Sequence, residues 1–267
     1  MLYDTIASKD NNLIKKIVKL SANSSYRKEC NKAVIYGWHL IEEAIKYDIL
    51  ESVIILNKNI NKYSNLLNTA NTPYKIYIAN SQIMNKINVL DSAVDIVGVI
   101  KINYTEVVKY NEITDCIFLE NIQDPGNLGT IMRVAKASGV RALFASSNCV
   151  DIYNPKVLRA SQGLQFGLDI YVNIDFYDFV RQYNGIIIAT TPYTDTSIYT
   201  IDLQQPIAWV FGNEGAGLSS NILNEKLHPH LNEKIIKAKI PMPGDAESLN
   251  IAMAATVCVF EMMRQRL

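Results

Sequence analysis

Apolar and polar positions alternate along this chain in two different rhythms. Leu13, Ile14, Ile17, Val18 and Leu20 fit one face of a helix, with Lys15, Lys16 and Lys19 outside it. A polar stretch containing Tyr26, Arg27 and Lys28 reads as a loop. The short apolar run 33–36 precedes a helical pattern from Trp38 to about Tyr47. Val53–Leu56, Tyr74–Ile78 and Val94–Ile102 read as strands, with helical patterns at Asn61–Ala70 and Ser81–Ile87. Strands and helices separated by short connections predict a small α/β sandwich. The polar, patternless stretch 101–111 predicts a linker.

Beyond residue 115 the alternation is clearer. Largely apolar strands at Cys116–Leu119, Arg141–Ala145, Asp169–Val172, Gly185–Ala189, Ile207–Phe211 and Ile235–Lys239 are interleaved with helices at Gly126–Ser138, Asn154–Ala160 and Phe176–Tyr183. Apolar strands alternating with helices predict a parallel sheet covered on both faces. The last helix, from Ser248 to about Arg264, is apolar on almost every side, so core or a partner subunit must cover it. Ser248 is placed to cap it.

Composition narrows the classes. The 267 residues suffice for two domains. The apolar runs fall far short of the roughly 18 residues of a membrane span. The N-terminus lacks the basic-then-apolar pattern of a signal peptide. Cys30, Cys116, Cys149 and Cys258 show no CxxC spacing, and the three histidines form no metal motif, so buried free thiols in a reducing cytoplasm are expected and no metal is. Net charge is zero, yet residues 1–110 carry 14 Lys/Arg against 10 Asp/Glu, and the remainder 12 against 16. That asymmetry suits an N-terminal half that meets a polyanion.

Three loops carry candidate chemistry. In Glu120-Asn-Ile-Gln-Asp-Pro-Gly-Asn-Leu-Gly-Thr-Ile-Met-Arg133, Asp124 and Pro125 start a helix just beyond a strand, where open α/β sheets bind ligands. In Phe211-Gly-Asn-Glu-Gly-Ala-Gly-Leu-Ser219, the glycine spacing approaches a phosphate-binding loop, but Leu218 stands at the lysine position and Glu214 would repel phosphates. The order is also not GxGxxG. A nucleotide-dependent oxidoreductase or NTPase is therefore disfavoured, and a neutral or cationic small ligand suits the loop better. The third loop is Ile240-Pro-Met-Pro-Gly-Asp-Ala-Glu-Ser-Leu-Asn250.

In order and spacing these loops resemble the three motifs of the SpoU (TrmH) family of RNA 2′-O-ribose methyltransferases, of the SPOUT class, over roughly residues 113–265. The N-terminal half is similar, more loosely, to that family's ribosomal-protein-like substrate-binding domain, with Ile35-Tyr36-Gly37 where the family more often has Val-Glu-Gly. The resemblance implies an RNA-binding domain over 1–105, a linker over 106–112 and a methyltransferase domain over 113–267 that carries a trefoil knot. It implies S-adenosylmethionine held by Thr190, Gly212, Ile240, Met242 and Leu249, and an active site of Asn127, Arg133, Glu214, Ser248 and Asn250. It further implies a cytoplasmic homodimer that methylates RNA. Ribosomal RNA is favoured because the accessory domain is present; a transfer-RNA enzyme of the same family and a non-catalytic RNA-binding protein are the alternatives. Arg27, Lys28 and Lys32 are the expected phosphate contacts. Arg133 is expected either to act on the 2′-hydroxyl with help from an RNA phosphate or to clamp that phosphate.

Overall fold

The computed structural model describes residues 4–63, 74–90, 92–102, 104, 109–223, 234–245 and 247–267. The chain divides into two compact units: Met1–Asn103 with Asp151–Phe166, and Tyr104–Val150 with Gly167–Leu267.

In the first unit, strands β1 (Asp4–Ile6), β2 (Lys32–Tyr36), β3 (Leu50–Leu56), β4 (Lys75–Ala79) and β5 (Ile96–Lys101) form one sheet in the order β1-β4-β3-β5-β2. β5 runs antiparallel to both neighbours, and the β1–β4 and β4–β3 pairs are parallel. The helix Asn12–Ala22, capped by Asn11, buries Ile14, Ile17 and Leu20 against Val34, Ile54 and Val97 of the sheet. Its lysines stay outside, as the spacing of apolar positions requires. Of the helix expected over Asn61–Ala70, residues 61–63 end the 3-10 turn Asn57–Tyr63, and the remainder lies outside the described residues.

Two sequence expectations change here. The stretch around Tyr26 is a helix, Ser24–Cys30, because the Asn23 side chain accepts from the Tyr26 N–H at 2.8 Å and supplies the cap that propensity alone does not reveal. Arg27, expected on RNA, is buried at 2% exposure. Its guanidinium pairs with Asp151 at 2.5 Å and donates to the Leu20 carbonyl at 2.7 Å. A guanidinium enclosed in this way is a structural ion partner and is not presented to a phosphate. Asp151 opens a segment, 151–166, that lies between two strands of the second unit in sequence but groups with the first. Its helix Pro155–Ser161 packs on β2, burying Val157 and Leu158. Lys28 is exposed, and Lys32 pairs with Glu51.

In the second unit, β6 (Cys116–Leu119), β7 (Ala142–Ala145), β8 (Asp169–Val172), β9 (Ile186–Thr190), β10 (Ile207–Phe211) and β11 (Ile235–Ala238) form a wholly parallel sheet in the order β11-β9-β10-β6-β7-β8. The aromatic cluster Phe118, Phe144, Phe176, Phe179 and Tyr183 builds a core beside the helix Phe176–Gln182. The helices Pro125–Ala137 and Ile251–Gln265 pack against each other. Arg266 fixes the end of the latter by donating to Asp115 and to the carbonyls of Leu203 and Gln205. Because β6 lies between β7 and β10, the direction of winding reverses at β6–β10, and the loops leaving those two strands meet at the place where such sheets bind ligands.

Candidate active site

The loop after β6 turns through Asn121, which adopts φ 57°, and enters the helix Pro125–Ala137. Asp124 caps that helix, accepting from the Asn127 N–H at 2.8 Å, and Pro125 takes the first helical position, where no amide hydrogen is needed. The loop after β10 closes on itself through paired Asn213–Gly217 backbone bonds of 2.9 Å. Only glycine serves at 212, because a Cβ there would lie 2.3 Å from the Gly217 carbonyl carbon. The Asn213 side chain accepts from the Gly215 and Ala216 N–H groups and donates to the Asn121 carbonyl at 2.9 Å, tying the two loops together.

Glu214 projects from this closed turn onto the first loop. One carboxylate oxygen accepts from the Asp124 N–H at 3.0 Å and from Asn127 Nδ2 at 3.2 Å; the other accepts from the Gln123 N–H at 3.2 Å. Asn127 Oδ1 in turn accepts from Asn250 Nδ2 at 2.9 Å, and Asn250 Oδ1 accepts from the N–H groups of Ala252 and Met253. The polarity of this chain is forced from both ends. A carboxylate only accepts and a helix N-terminus only donates, so each amide has one permitted orientation. Partial burial would raise the Glu214 carboxyl, but the N–H groups of Glu214 itself and Asp124, with the Asn127 amide, outweigh it and hold the group below its usual value. Glu214 is therefore ionised at neutral pH, a poor proton acceptor and a strong anchor.

Beside this chain lies a cavity of about 290 Å³ whose walls include Thr190, Gly212, Ile240, Met242 and Leu249, together with Glu214 and Ser248. All five positions expected at a cofactor thus meet in one place. The lining is mostly apolar side chains and loop backbone, with the carboxylates of Glu214 and Glu247 against one lysine, Lys239. That set suits a ligand with an apolar body and a positive charge and opposes a polyphosphate.

Two expected residues sit differently from the others. Ser248 is at the cavity but does not cap the last helix; Asn250 does, and the helix begins at Ile251. The Asn250 side chain reaches the first-turn N–H groups two and three positions ahead, which is the N-cap geometry. Arg133 is exposed on the face of its helix that carries Gly126 and Thr130, with no hydrogen bond or ion pair to any described residue and outside the cavity lining. The sequence does not single out Asn213 or Asn121; for Asn121 the available signal is an asparagine at a strand end, tolerant of positive φ. Tyr193, 86% exposed, stands at the rim of the cavity. Among the described residues no helix is long and apolar enough to cross a membrane, and no cluster of metal-ligating side chains occurs.

The sequence model of the SpoU rRNA Methylase family matches residues 115–260. The 23S rRNA (guanosine(2553)-2′-O)-methyltransferase RlmP of Bacillus subtilis is 28% identical over 96% of this chain and 98% of that protein. A 23S rRNA (uridine(2479)-2′-O)-methyltransferase of Streptomyces viridochromogenes is 33% identical over 57% of this chain. Of that relative, as of others matched at similar identity, the aligned part spans only about half the length, 53%. Among solved structures, the SpoU methyltransferase AviRb from Streptomyces viridochromogenes in complex with AdoMet superposes with a TM-score of 0.80 at 25% identity, over 96% of this chain and 99% of that one.

Proposed function

Because the chain belongs to the SpoU rRNA methylase family, we propose that it transfers the methyl group of S-adenosylmethionine to a ribose 2′-oxygen of ribosomal RNA. The observation that carries this reading is the Glu214–Asn127–Asn250 hydrogen-bonded chain standing beside the cavity that gathers Thr190, Gly212, Ile240, Met242 and Leu249. The alignment with RlmP over nearly the whole length of both proteins supports ribosomal over transfer RNA.

The cofactor supplies a methyl group on a sulfonium that needs no further activation. The five cavity residues would hold it, with the loops at Gly212 and Ile240 forming part of the wall. Glu214, ionised and anchored, fixes the Asn127 amide, and Asn127 with Asn250 holds the ribose hydroxyls. Ser248 adds a hydroxyl at the cavity edge. Arg133 would grip the neighbouring RNA phosphate and stabilise the negative charge developing on the 2′-oxygen, while the hydroxyl proton passes to that phosphate and the cofactor leaves as its thioether. The residues thus align oxygen and methyl carbon, which is the main task when donor and acceptor are both bound.

The domain reading is an RNA-binding domain over 1–105, a linker over 106–112 and a methyltransferase domain over 113–267 that carries a trefoil knot. The two compact units and the all-parallel sheet of the second support this division, except that 151–166 groups with the first unit. RNA contacts in the first domain fall to Lys28 and Lys32 without Arg27. The reading includes a cytoplasmic location, and a homodimer is supported by the last helix, which leaves Met253 and Phe260 exposed at 55% and 39%.

The test is to map ribose methylation in ribosomal RNA from cells with and without this gene. A 2′-O-methyl removes the attacking hydroxyl, so the adjacent phosphodiester resists alkali. One protected position should vanish without the gene and return on complementation. Identical protection patterns in both strains would overturn the proposal.

A further inference from the structure

The carboxyl edge of the second sheet carries two cavities. One lies over β9, β10 and β11 and is the candidate cofactor site. The other, of about 300 Å³, lies where β6, β7 and β8 end, with Asn121, Ser146, Asn148, Asn173, Asp175 and Asn221 in its wall. Nothing in the proposed methyl transfer uses it, although it joins the Glu214 cluster directly. The Asn121 carbonyl accepts from Asn213 Nδ2, and Asn121 Oδ1 accepts from Ser146 Oγ at 3.3 Å. Gln123, whose N–H holds Glu214, sends its side-chain amide to the Asn148 carbonyl at 2.7 Å. One hydrogen-bonded wall therefore separates the two places.

The chemistry of this cavity is specific. The side-chain amides of Asn148, Asn173 and Asn221 make no hydrogen bond with any described residue, and each offers one acceptor and two donor hydrogens. Two carboxylates line it, Glu120 and Asp175, and no lysine or arginine does. Glu120 already accepts from the Ser219 N–H, and Asp175 caps the helix Phe176–Gln182. A phosphate would meet repulsion here. The rings of Phe118 and Phe176 are buried in the core, and the half-buried Tyr177, whose hydroxyl donates to the Asn221 carbonyl, is the ring that remains at the wall. Free amides facing a small polar cavity suit the edge of a nucleobase, which RNA-binding proteins read with such groups on unstacked nucleotides. The volume lies at the lower end for small-molecule pockets, enough for one base. Asn121 and Asn173 both hold φ near +60°, 57° and 59°, so the strand ends turn sharply at two corners of the cavity.

We propose that this cavity receives one nucleobase of the RNA strand flanking the target nucleotide and reads its hydrogen-bonding edge through Asn148, Asn173 and Asn221. The inference rests on the ribose methyltransferase reading. It makes this cavity the specificity pocket of the reaction, distinct from the place where the methyl group moves.

The test uses the full-length protein, ribosomal RNA from cells lacking the gene, and the variant Asn148→Ala/Asn173→Gly. Glycine at 173 keeps the positive φ, and alanine at 148 keeps the carbonyl that Gln123 uses. Expected is a loss of about tenfold or more in kcat/KM for RNA, carried by KM, with kcat at saturation and cofactor affinity within twofold of wild type. Transcripts altered one base at a time beside the methylated nucleotide should be discriminated by the wild type and much less by the variant, a change that a merely structural role would not produce. Asn221→Ala should act in the same direction and serves if the double variant does not fold. Wild-type kinetics and wild-type discrimination in these variants would overturn the pocket while leaving the methyltransferase reading intact. Absence of ribose methylation by the wild-type protein would instead sink the underlying reading, and the pocket with it.

Discussion

Asn250 donates through Nδ2 to Asn127 Oδ1 at 2.9 Å across 123 positions of sequence, while its own Oδ1 caps the last helix. Asn250→Asp keeps the cap and even favours the helix N-terminus, but it sets a carboxylate against Asn127, whose amide already serves Glu214. One amide group then faces two carboxylates, and Asn127 cannot satisfy both with the same orientation. The expected result is a fall in methyl transfer on the order of 10²-fold with an almost unchanged melting midpoint. Single-turnover transfer and thermal unfolding measure the two quantities; full activity in this variant would show that the amide polarity is irrelevant.

Arg27→Ala should lower unfolding stability by about 2 kcal/mol or more, because it removes a buried guanidinium and its charge-assisted bonds to the part-buried Asp151 carboxylate, which keeps the Tyr153 N–H. Replacing both partners together, Arg27→Met with Asp151→Asn, should recover part of the loss. In the folded protein the salt dependence of RNA binding should be unaffected by either change, whereas Lys28→Ala should reduce its slope by about one unit. A slope reduced by the Arg27→Met/Asp151→Asn pair would return Arg27 to the RNA interface.

Much of this arrangement is legible in the sequence. Asp124 followed by Pro125 announced the helix at the first loop, and the missing lysine at Leu218 removed the phosphate-binding alternatives. Local rules failed where a residue's partner is distant in sequence. Ser248 and Asn250 are equally good caps by type, and only the reach to Asn127 selects the second. Arg27 sits among Tyr26 and Lys28 in a stretch that looks solvated, and nothing nearby reveals an acid 124 positions away. The apolar pattern of 154–160 predicted a helix but not that Val157 and Leu158 would be buried in the other unit.

Asp95 gives the first unit a dependence on acid. Burial would raise its carboxyl, but hydrogen bonds from Lys62, Tyr63 and Asn59 outweigh that and hold it at about 2. The folded value lies below the unfolded one, so the stabilisation is present above about pH 4 and disappears as pH falls toward 2. Its size is about 1 kcal/mol after screening by solvent. Asp95→Asn should therefore be less stable than wild type at pH 7 and close to it at pH 2; denaturant melts at the two pH values make the comparison. A gap that does not narrow in acid would contradict the assignment.

Charge on the exposed face of the last helix separates core from interface. Met253 is 55% exposed and Phe260 39% exposed, so Met253→Glu/Phe260→Glu should leave the protein folded and yield a species near 30 kDa by sedimentation equilibrium. The wild type should sediment at twice that mass at micromolar concentration. A wild-type monomer would remove the homodimer from the functional reading.

Arg133 stands exposed on its helix without an ion partner among the described residues, so its removal leaves no buried charge behind and costs the fold little. Arg133→Ala should melt within a few degrees of wild type and bind S-adenosylmethionine within a few-fold, since the cavity lining does not include this residue. Methyl transfer should nevertheless fall roughly 10²-fold or more, and the loss should lie in kcat, as expected for a group that stabilises charge developing in the transition state. Arg133→Lys should restore little, because an ammonium cannot grip a phosphate with a planar fork while also facing the alkoxide. Isothermal titration, single-turnover kinetics and alkaline mapping of the product separate these outcomes. Should Arg133→Ala transfer the methyl group at the wild-type rate, the role falls to the remaining polar groups of the Asn127–Asn250 cluster, and the guanidinium is a solvated surface charge.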